Sequence, residues 1–263
     1  MIIERVEAVE DLVCKLNSLP NNFIYRGHAK ESWVLEPSLK RIFPADVSED
    51  NLRKAESISL HQFKSKFHLY DTTNTMPSTK LEWLSLMQHY GAPTRLLDFT
   101  ESPFVALYFA VEAYDPRQSE DFAVYGLDYR TILKSSIDVI SSKDQDFSYT
   151  YEDAQLKQDE IYESVIDCSS HDVLWITEPT KVNLRLDRQA GCFLLSGNVT
   201  RSIEQVLERQ TYTRVEGYKF VIPREFYENI FTLLRRMNIT SKAIYGDLSG
   251  LAKGIRMMIT AYS

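Results

Sequence analysis

The feature that most constrains the fold is an apolar run at residues 104–111, which reads Phe-Val-Ala-Leu-Tyr-Phe-Ala-Val. Ser102 and Pro103 precede it, and a cap residue followed by proline in the first turn is typical of a helix start. A helix that is apolar nearly all round must be buried on every side. The chain therefore needs a core that encloses a helix, and 263 residues are enough to build one.

Other helices and strands are predicted from hydrophobic periodicity and turn residues. Helices are expected at 4–17, 48–70, 80–90 and 223–237, with short helical pieces at 239–259 and a polar loop at 71–79. Strands are expected at 23–26, 94–99, 122–127, 173–176, 181–187, 192–195 and 217–222, with an acidic excursion of weak helix at 136–170. The sequence thus predicts one α+β domain over residues 1–263, with a mainly antiparallel β core flanked by helices.

Charge limits the classes of function. The net charge of −7 argues against a general nucleic-acid binder. Residues 112–172 carry 15 acidic and 5 basic residues (−10), whereas residues 201–256 carry 10 basic and 6 acidic residues (+4). The helical, net basic part at 200–263 could meet an acidic partner or form an ordinary solvated surface.

Targeting signals and cysteine usage indicate a cytoplasmic protein. The N-terminal sequence is charged from residue 4, unlike a signal peptide, and no uncharged apolar run approaches the ~18 residues of a membrane span. The three cysteines are far apart, which favours free thiols in a reducing compartment. We therefore expect no disulfide framework, no metal site and no membrane partner.

Arg26 is the first candidate site residue. It lies at the end of the predicted strand 23–26 and precedes Gly27. A half-buried arginine presents a planar fork of donors that suits phosphate or carboxylate, and glycine allows a ligand to approach the backbone. The alternative is an arginine paired to a structural Asp or Glu.

A second polar cluster occupies residues 88–98 and flanks a forced turn at 91–93. Polar groups at the ends of a buried strand need partners, and two of them, Arg95 and Asp98, could satisfy one another. Such crowding is more specific than any single member, so the cluster and Arg26 are predicted to form one site for a small anionic ligand. Its candidate members are His89, Tyr90, Thr94, Arg95 and Asp98.

Two further segments could border the same site. Residues 99–102 (Phe-Thr-Glu-Ser) place hydroxyls at a strand-to-helix junction, where they can accept hydrogen bonds from a site arginine or act as plain helix caps. Residues 183–193 contain a predicted turn that presents Arg188 and Gln189 beside a glycine. No Gly-rich phosphate loop, HExxH, GxSxG or CxxC motif is present, so the enzyme classes defined by those motifs are not indicated.

These segments together resemble the FRG domain family of bacteria and phages, which is named for its (Phe/Tyr)-Arg-Gly motif. The resemblance spans roughly residues 20–195. It is carried by residues 23–27 (FIYRG), 36–39 (EPSL), 88–110 (QHYGAPTRLLDFTESPFVALYFA) and 183–193 (NLRLDRQAGCF).

The order of the motifs also resembles ADP-ribosyltransferases of the arginine–serine–glutamate type, which implies a split β core of that fold. In that family a first-strand aromatic residue and arginine bind the NAD phosphate. A Phe-Ser/Thr-x-Ser strand and an Ala-x-x-Phe helix shape the nicotinamide pocket, matched here by residues 99–102 with Ala106 and Phe109. The late Glu-x-Glu of the family has no counterpart, and Gln189 and Glu178 are the candidates near its place.

The resemblance implies that NAD is a substrate and that no metal is needed. The expected catalytic residues are Arg26, His89, Asp98, Glu178 and Gln189. The expected NAD-binding residues are Tyr25, Arg26, Gly27, Tyr90, Thr94, Arg95, Thr100, Ser102 and Tyr108.

Such an activity would suit a toxin-like effector of phage defence or of a toxin–antitoxin system. It would modify RNA, DNA or protein inside its own cell and be held by an antitoxin partner. The alternative is a non-catalytic module in which the same residues bind a nucleotide or a partner.

Overall fold

One seven-stranded sheet organises the fold. The computed structural model describes residues 1–71 and 76–261. The strand order is β1-β7-β4-β2-β3-β6-β5, in which β1 runs parallel to β7 and all other neighbours are antiparallel. The strands are β1 (Ile2–Arg5), β2 (Phe23–His28), β3 (Leu97–Thr100), β4 (Phe122–Asp128), β5 (Leu174–Thr177), β6 (Gly191–Ser196) and β7 (Gly217–Ile222).

Thirteen α-helices cover the sheet within the described ranges. They are α1 (Val9–Ser18), α2 (Ser38–Arg41), α3 (Glu49–Phe67), α4 (Lys80–His89), α5 (Pro103–Glu112), α6 (Tyr129–Lys143), α7 (Tyr151–Leu156), α8 (Gln158–Ile161), α9 (Leu184–Arg188), α10 (Ile203–Leu207), α11 (Tyr227–Arg236), α12 (Ser241–Tyr245) and α13 (Leu248–Ala261).

The helices form two layers because alternate residues of a strand face opposite sides of the sheet. Phe23 and Tyr25 of β2 pack with α1, α5 and α11–α13, whereas Ile24 between them packs with α3, α4 and α6. The apolar helix α5 is buried as predicted, and Ala106 and Ala110 are fully enclosed.

A mixed α/β chain with a mostly antiparallel sheet is therefore confirmed, and most predicted elements are present. Part of the predicted loop 71–79 lies outside the described residues. Two predicted elements are wrong. The helix predicted at 4–17 is wrong at its start, because residues 2–5 form strand β1 at the edge of the sheet and α1 begins only at Val9.

The predicted strand at 181–187 is the second wrong element, because the structure has helix α9 at Leu184–Arg188. Asn183 caps this helix, and its side chain accepts a hydrogen bond from the Leu186 amide at 2.9 Å. The alternation of apolar residues there does not mark a buried face, since Leu184 is 75% exposed.

The acidic segment 136–170 contains more helix than its composition predicts. It forms the rest of α6, then α7, α8 and a π-helical turn at Tyr162–Ile166. Its charged residues lie mainly outside, while Ile140, Ile161 and Tyr162 enter the core on the α3 side of the sheet.

The predicted split of the β core takes a different form, because the seven strands make one sheet. Strands β2 and β3 nevertheless pair at a single position, Tyr25 opposite Thr100. Beyond it, β2 continues beside β4 and β3 continues beside β6. The two strands therefore diverge, and a gap opens in the middle of the sheet.

Candidate functional site

A cleft of about 410 Å³ lies where β2 and β3 diverge. Its walls come from β2, β3, the C-terminal end of α4, and helices α2, α5, α9, α12 and α13. The predicted site residues that line it are Tyr25, Arg26, Gly27, His89, Asp98, Thr100 and Gln189.

Arg26 bridges the gap between the diverging strands. Its Nη1 donates a hydrogen bond to the Asp98 backbone carbonyl at 2.5 Å, and its Nε donates to Nε2 of His28 at 2.9 Å. The side chain is 17% exposed, and Nη1 lies 3.8 Å from the Asp98 carboxylate. Burial lowers the pKa of Arg26, and Asp98 opposes that shift, but a guanidinium stays charged in proteins. The two groups that accept hydrogen bonds from Arg26 are uncharged, and the Asp98 carboxylate forms a longer ion pair with it.

His28 is a site residue that the sequence analysis missed. Its Nδ1 lies 3.2 Å from the Trp33 carbonyl, which assigns the proton to Nδ1 and leaves Nε2 free to accept from Arg26. Burial and the Arg26 charge lower the pKa of His28 to about 3, so the ring is neutral at physiological pH. The available signal was its position, because residues two apart on a strand share a face.

The turn at 91–93 positions the end of α4. Gly91 has φ of +80°, which glycine adopts without strain. Its amide donates to the Gln88 carbonyl at 3.0 Å, and the Ala92 amide donates to the Met87 carbonyl at 2.9 Å, which is the Schellman pattern of a helix end. The helix therefore stops with Gln88 and His89 at the cleft.

Gln88 then holds Asp98 in place. Its Nε2 donates to the Asp98 carboxylate at 2.9 Å and to the Leu96 carbonyl at 3.1 Å. Its Oε1 accepts from the Thr94 hydroxyl at 2.6 Å. Thr94 is fully buried and therefore supports the site from behind.

Gly27 has a packing role that differs from the predicted close approach to a ligand. It lies inside β2, and a β-carbon there would overlap the Ala106 carbonyl oxygen and the Ala110 amide nitrogen of α5. Glycine thus allows the buried helix to contact the strand directly, which fixes the cleft wall beside Arg26.

Three cationic side chains that were not predicted as site residues also line the cleft. Arg41, Arg185 and Lys253 line the cleft, and its acidic lining residues are Asp98 and Glu112. The Arg185 guanidinium and the Lys253 ammonium lie 4.7 and 4.2 Å from the centre of the Tyr245 ring. These residues come from α2, α9, α12 and α13 and meet only in the folded chain.

Glu112 is the better satisfied of the two carboxylates in the cleft lining. It accepts hydrogen bonds from the hydroxyls of Tyr108 and Tyr245, both at 2.9 Å, and from Lys253 at 3.1 Å. Asp98 is 56% exposed at its side chain. A reacting group in the cleft would therefore find Asp98 more accessible than Glu112.

Several predicted site residues lie outside the cleft lining. Arg95 is buried and binds Glu56 through Nε at 2.7 Å and through Nη2, so neither a position in the cleft lining nor the alternative pairing of Arg95 with Asp98 is observed. Tyr90 is 69% exposed, and its ring is nearly perpendicular to that of His89. Ser102 caps α5.

Tyr108 and Glu178 also lie elsewhere. The Tyr108 hydroxyl is buried, donates to Glu112 and accepts from the Ser241 hydroxyl. Glu178 lines a separate, smaller cavity with Ile24 and Cys192, where burial raises its pKa. Glu178 is therefore not positioned as the late carboxylate of this cleft.

Part of the chain matches a known protein family. Residues 21–119 match the FRG domain family model. This range holds Arg26, the 88–98 cluster and helix α5, whereas the FRG match does not extend to Gln189, Arg185 or Lys253. No curated protein and no solved structure matches the chain. The resemblance to ADP-ribosyltransferases therefore remains a prediction from the order of motifs.

Clusters of metal-ligating side chains and membrane-spanning helices are both absent from the part of the chain that the structure describes. Across residues 1–71 and 76–261, no group of three or more His, Cys, Asp or Glu side chains could hold a metal ion. No helix in these ranges has the length and apolar character that crossing a membrane requires.

Proposed function

We propose that the cleft binds a small phosphate-bearing ligand and that Arg26 holds its phosphate. NAD is the ligand that the motif order predicts. The observation that carries the proposal is the placement of a charged guanidinium in a gap of the sheet with uncharged close partners, His28 and the Asp98 carbonyl. The nearest carboxylate, that of Asp98, forms a long ion pair with it at 3.8 Å and is itself half exposed.

The surroundings fit an anionic ligand. Arg41 and Arg185 add positive charge to the lining, whereas the charge of Lys253 is paired with Glu112. Phe109 and Tyr245 offer aromatic surface. The volume falls within the range of about 300–1,000 Å³ typical of small-molecule sites. A nucleotide combines phosphates with flat rings, so it uses both kinds of surface.

Transfer of ADP-ribose is the narrower form of this proposal. The bond between nicotinamide and ribose C1′ would break, nicotinamide would leave with the electron pair, and an acceptor nucleophile would bond to C1′. Asp98 is the accessible carboxylate that could stabilise positive charge at C1′ or take the acceptor's proton. RNA, DNA or protein as the acceptor, a toxin-like role and an antitoxin partner remain part of the same proposal.

A non-catalytic nucleotide-binding module is the second candidate. It is favoured by the position of Glu178 in a different cavity and by the three hydrogen bonds that occupy Glu112. Nicotinamide release separates the two candidates. Chromatographic detection of free nicotinamide, lost in Asp98→Asn, supports transfer, whereas binding of NAD without release supports the module.

Calorimetric titration with NAD and with ADP-ribose tests the binding proposal. We expect Arg26→Ala to weaken both by roughly 10- to 100-fold, the range for hydrogen bonds to a charged group. Arg214 is exposed and lies outside the cleft lining, so Arg214→Ala is the control for removal of one positive charge. Circular dichroism checks the fold of each variant. Equal binding by the wild type and Arg26→Ala, or no binding by the wild type, would refute the proposal.

A further inference from the structure

The cleft contains two buried polar atoms that have no hydrogen-bond partner among the described residues. They are Nδ1 of His89 and Nε2 of Gln189. Buried polar groups in proteins are almost always satisfied, so an unsatisfied one in a cleft points to a partner supplied from outside the chain.

The backbone of Gln189 makes hydrogen bonds, whereas its side-chain Nε2 makes none with the described residues. Its carbonyl accepts from the Thr100 hydroxyl at 2.6 Å, and its amide donates to the Arg185 carbonyl at 3.1 Å. The next residue, Ala190, has φ of +43° and accepts from the Glu101 amide at 2.9 Å. The chain thus anchors Gln189 to the end of β3, next to the position where β2 and β3 still pair.

His89 is held at the end of α4. Its carbonyl lies 3.5 Å from Arg185 Nη1, and its ring is nearly perpendicular to that of Tyr90, with 4.8 Å between the ring centres. Burial and the nearby Arg185 charge lower its pKa, which favours the neutral ring. A neutral imidazole offers one donor and one acceptor.

We infer that Gln189 and His89 form a subsite for an uncharged amide of the ligand, such as the carboxamide of nicotinamide. An amide carries one acceptor oxygen and donor N–H groups, which complement a carboxamide and a neutral imidazole. The two residues would then select the ligand rather than carry out chemistry on it. This inference rests on the proposed function, because it takes Arg26 to hold the phosphate of the same molecule.

Comparison of NAD with ADP-ribose isolates the subsite, because ADP-ribose keeps the phosphates and lacks the nicotinamide. Gln189→Met preserves length and removes the polar atoms. We expect it to weaken NAD binding by about 5-fold, the size of one uncharged hydrogen bond, and to leave ADP-ribose binding unchanged. His89→Phe should show the same selectivity.

The design contains its own controls. Retained ADP-ribose binding shows that each variant is folded, and Gln210→Met alters an exposed glutamine outside the cleft lining. Equal weakening of both ligands, or wild-type protein that binds NAD and ADP-ribose equally, overturns the subsite while leaving the Arg26 proposal intact. Wild-type protein that binds neither ligand overturns both.

Discussion

Arg26 and Arg95 both come from the segments that indicated a ligand site, yet their environments differ. Arg95 is enclosed and binds the Glu56 carboxylate through two nitrogens, with Asp167 3.3 Å from its Nη1. Arg26 binds an imidazole nitrogen and a backbone carbonyl, and the nearest carboxylate oxygen is 3.8 Å away. Sequence position alone does not separate the two arginines.

The difference concerns where the positive charge is neutralised. A buried carboxylate neutralises Arg95 inside the protein, so Arg95 joins α3 to the segment before β3. Neutral acceptors orient Arg26, and its ion pair with Asp98 is longer and more exposed than that of Arg95 with Glu56, so more of its charge remains available to an anion in the cleft. An arginine held by uncharged acceptors is therefore the better candidate for ligand binding.

The largest expected effect is the loss of stability when Arg95 is removed, because Arg95 has the structural role of the two arginines. Removal of one partner of a buried ion pair leaves the other charge unpaired, which costs about 3–5 kcal/mol. We therefore expect Arg95→Ala to lower the free energy of unfolding by about 3 kcal/mol or more, measured by urea denaturation. Arg26→Ala, at a partly exposed site, should cost about 1 kcal/mol.

A double variant is the control for this result. Arg95→Met combined with Glu56→Leu removes both charges and should recover most of the stability that Arg95→Ala loses. Lys80 also lies 3.5 Å from Glu56, so recovery is expected to be incomplete. If Arg26→Ala destabilises as much as Arg95→Ala, the distinction between the two arginines is wrong.

Gly27, the neighbour of Arg26, tests whether the close packing of β2 on α5 contributes to stability. A β-carbon at this position would overlap backbone atoms of α5, so strand and helix must move apart in Gly27→Ala. We expect a loss of about 1–3 kcal/mol in unfolding free energy, the usual cost of overpacking. Thermal denaturation with and without NAD would show whether the displacement of α5 also weakens binding.

Gly91→Ala is the matched comparison, because no atom lies within 4 Å of a β-carbon there and only its positive φ resists alanine. A cost of roughly 1 kcal/mol is expected from that backbone strain. If Gly91→Ala is the more damaging of the two, the close packing of α5 on β2 is not what position 27 requires.

The sequence predicted local features best. Helix α5 was predicted because its residues are apolar on every side, and strands β2, β4 and β7 were predicted from β-prone runs. The turn at Gly91 was predicted from its residue types, and the structure brings Arg26, His89 and Asp98 to one cleft.

The features that the sequence could not predict depend on distant partners. Arg95 finds Glu56, which is 39 residues away, instead of Asp98 three residues away. Arg185 and Lys253 reach the cleft only because α9 and α13 pack beside α12. Strand β1 forms because its backbone pairs with β7, a tertiary contact that its own residues do not encode.

The last expected effect is a pH dependence, which concerns His28 and the pH at which it can still orient Arg26. With a folded pKa of about 3, against an ordinary value of 6.5, the unfolded chain takes up a proton below about pH 6.5 while the folded chain does not. The contribution of neutral His28 to the free energy of unfolding should therefore be fully present above that pH. It should fall toward pH 3, by up to about 1.4 kcal/mol per pH unit. Protonation of Nε2 would also replace the acceptor of Arg26 with a second cation.

Urea denaturation at pH 7, 6 and 5 measures this slope for the wild type and for His28→Gln, which cannot titrate. We expect a shallower slope in His28→Gln. His89 has a lowered pKa as well and acts in the same direction, so His89→Gln measures its share. Parallel slopes in the wild type and His28→Gln would mean that His28 is not held neutral beside Arg26. The orientation of Arg26 by uncharged acceptors would then lose its main support, and the contrast with Arg95 would have to be explained by the Asp98 carbonyl alone.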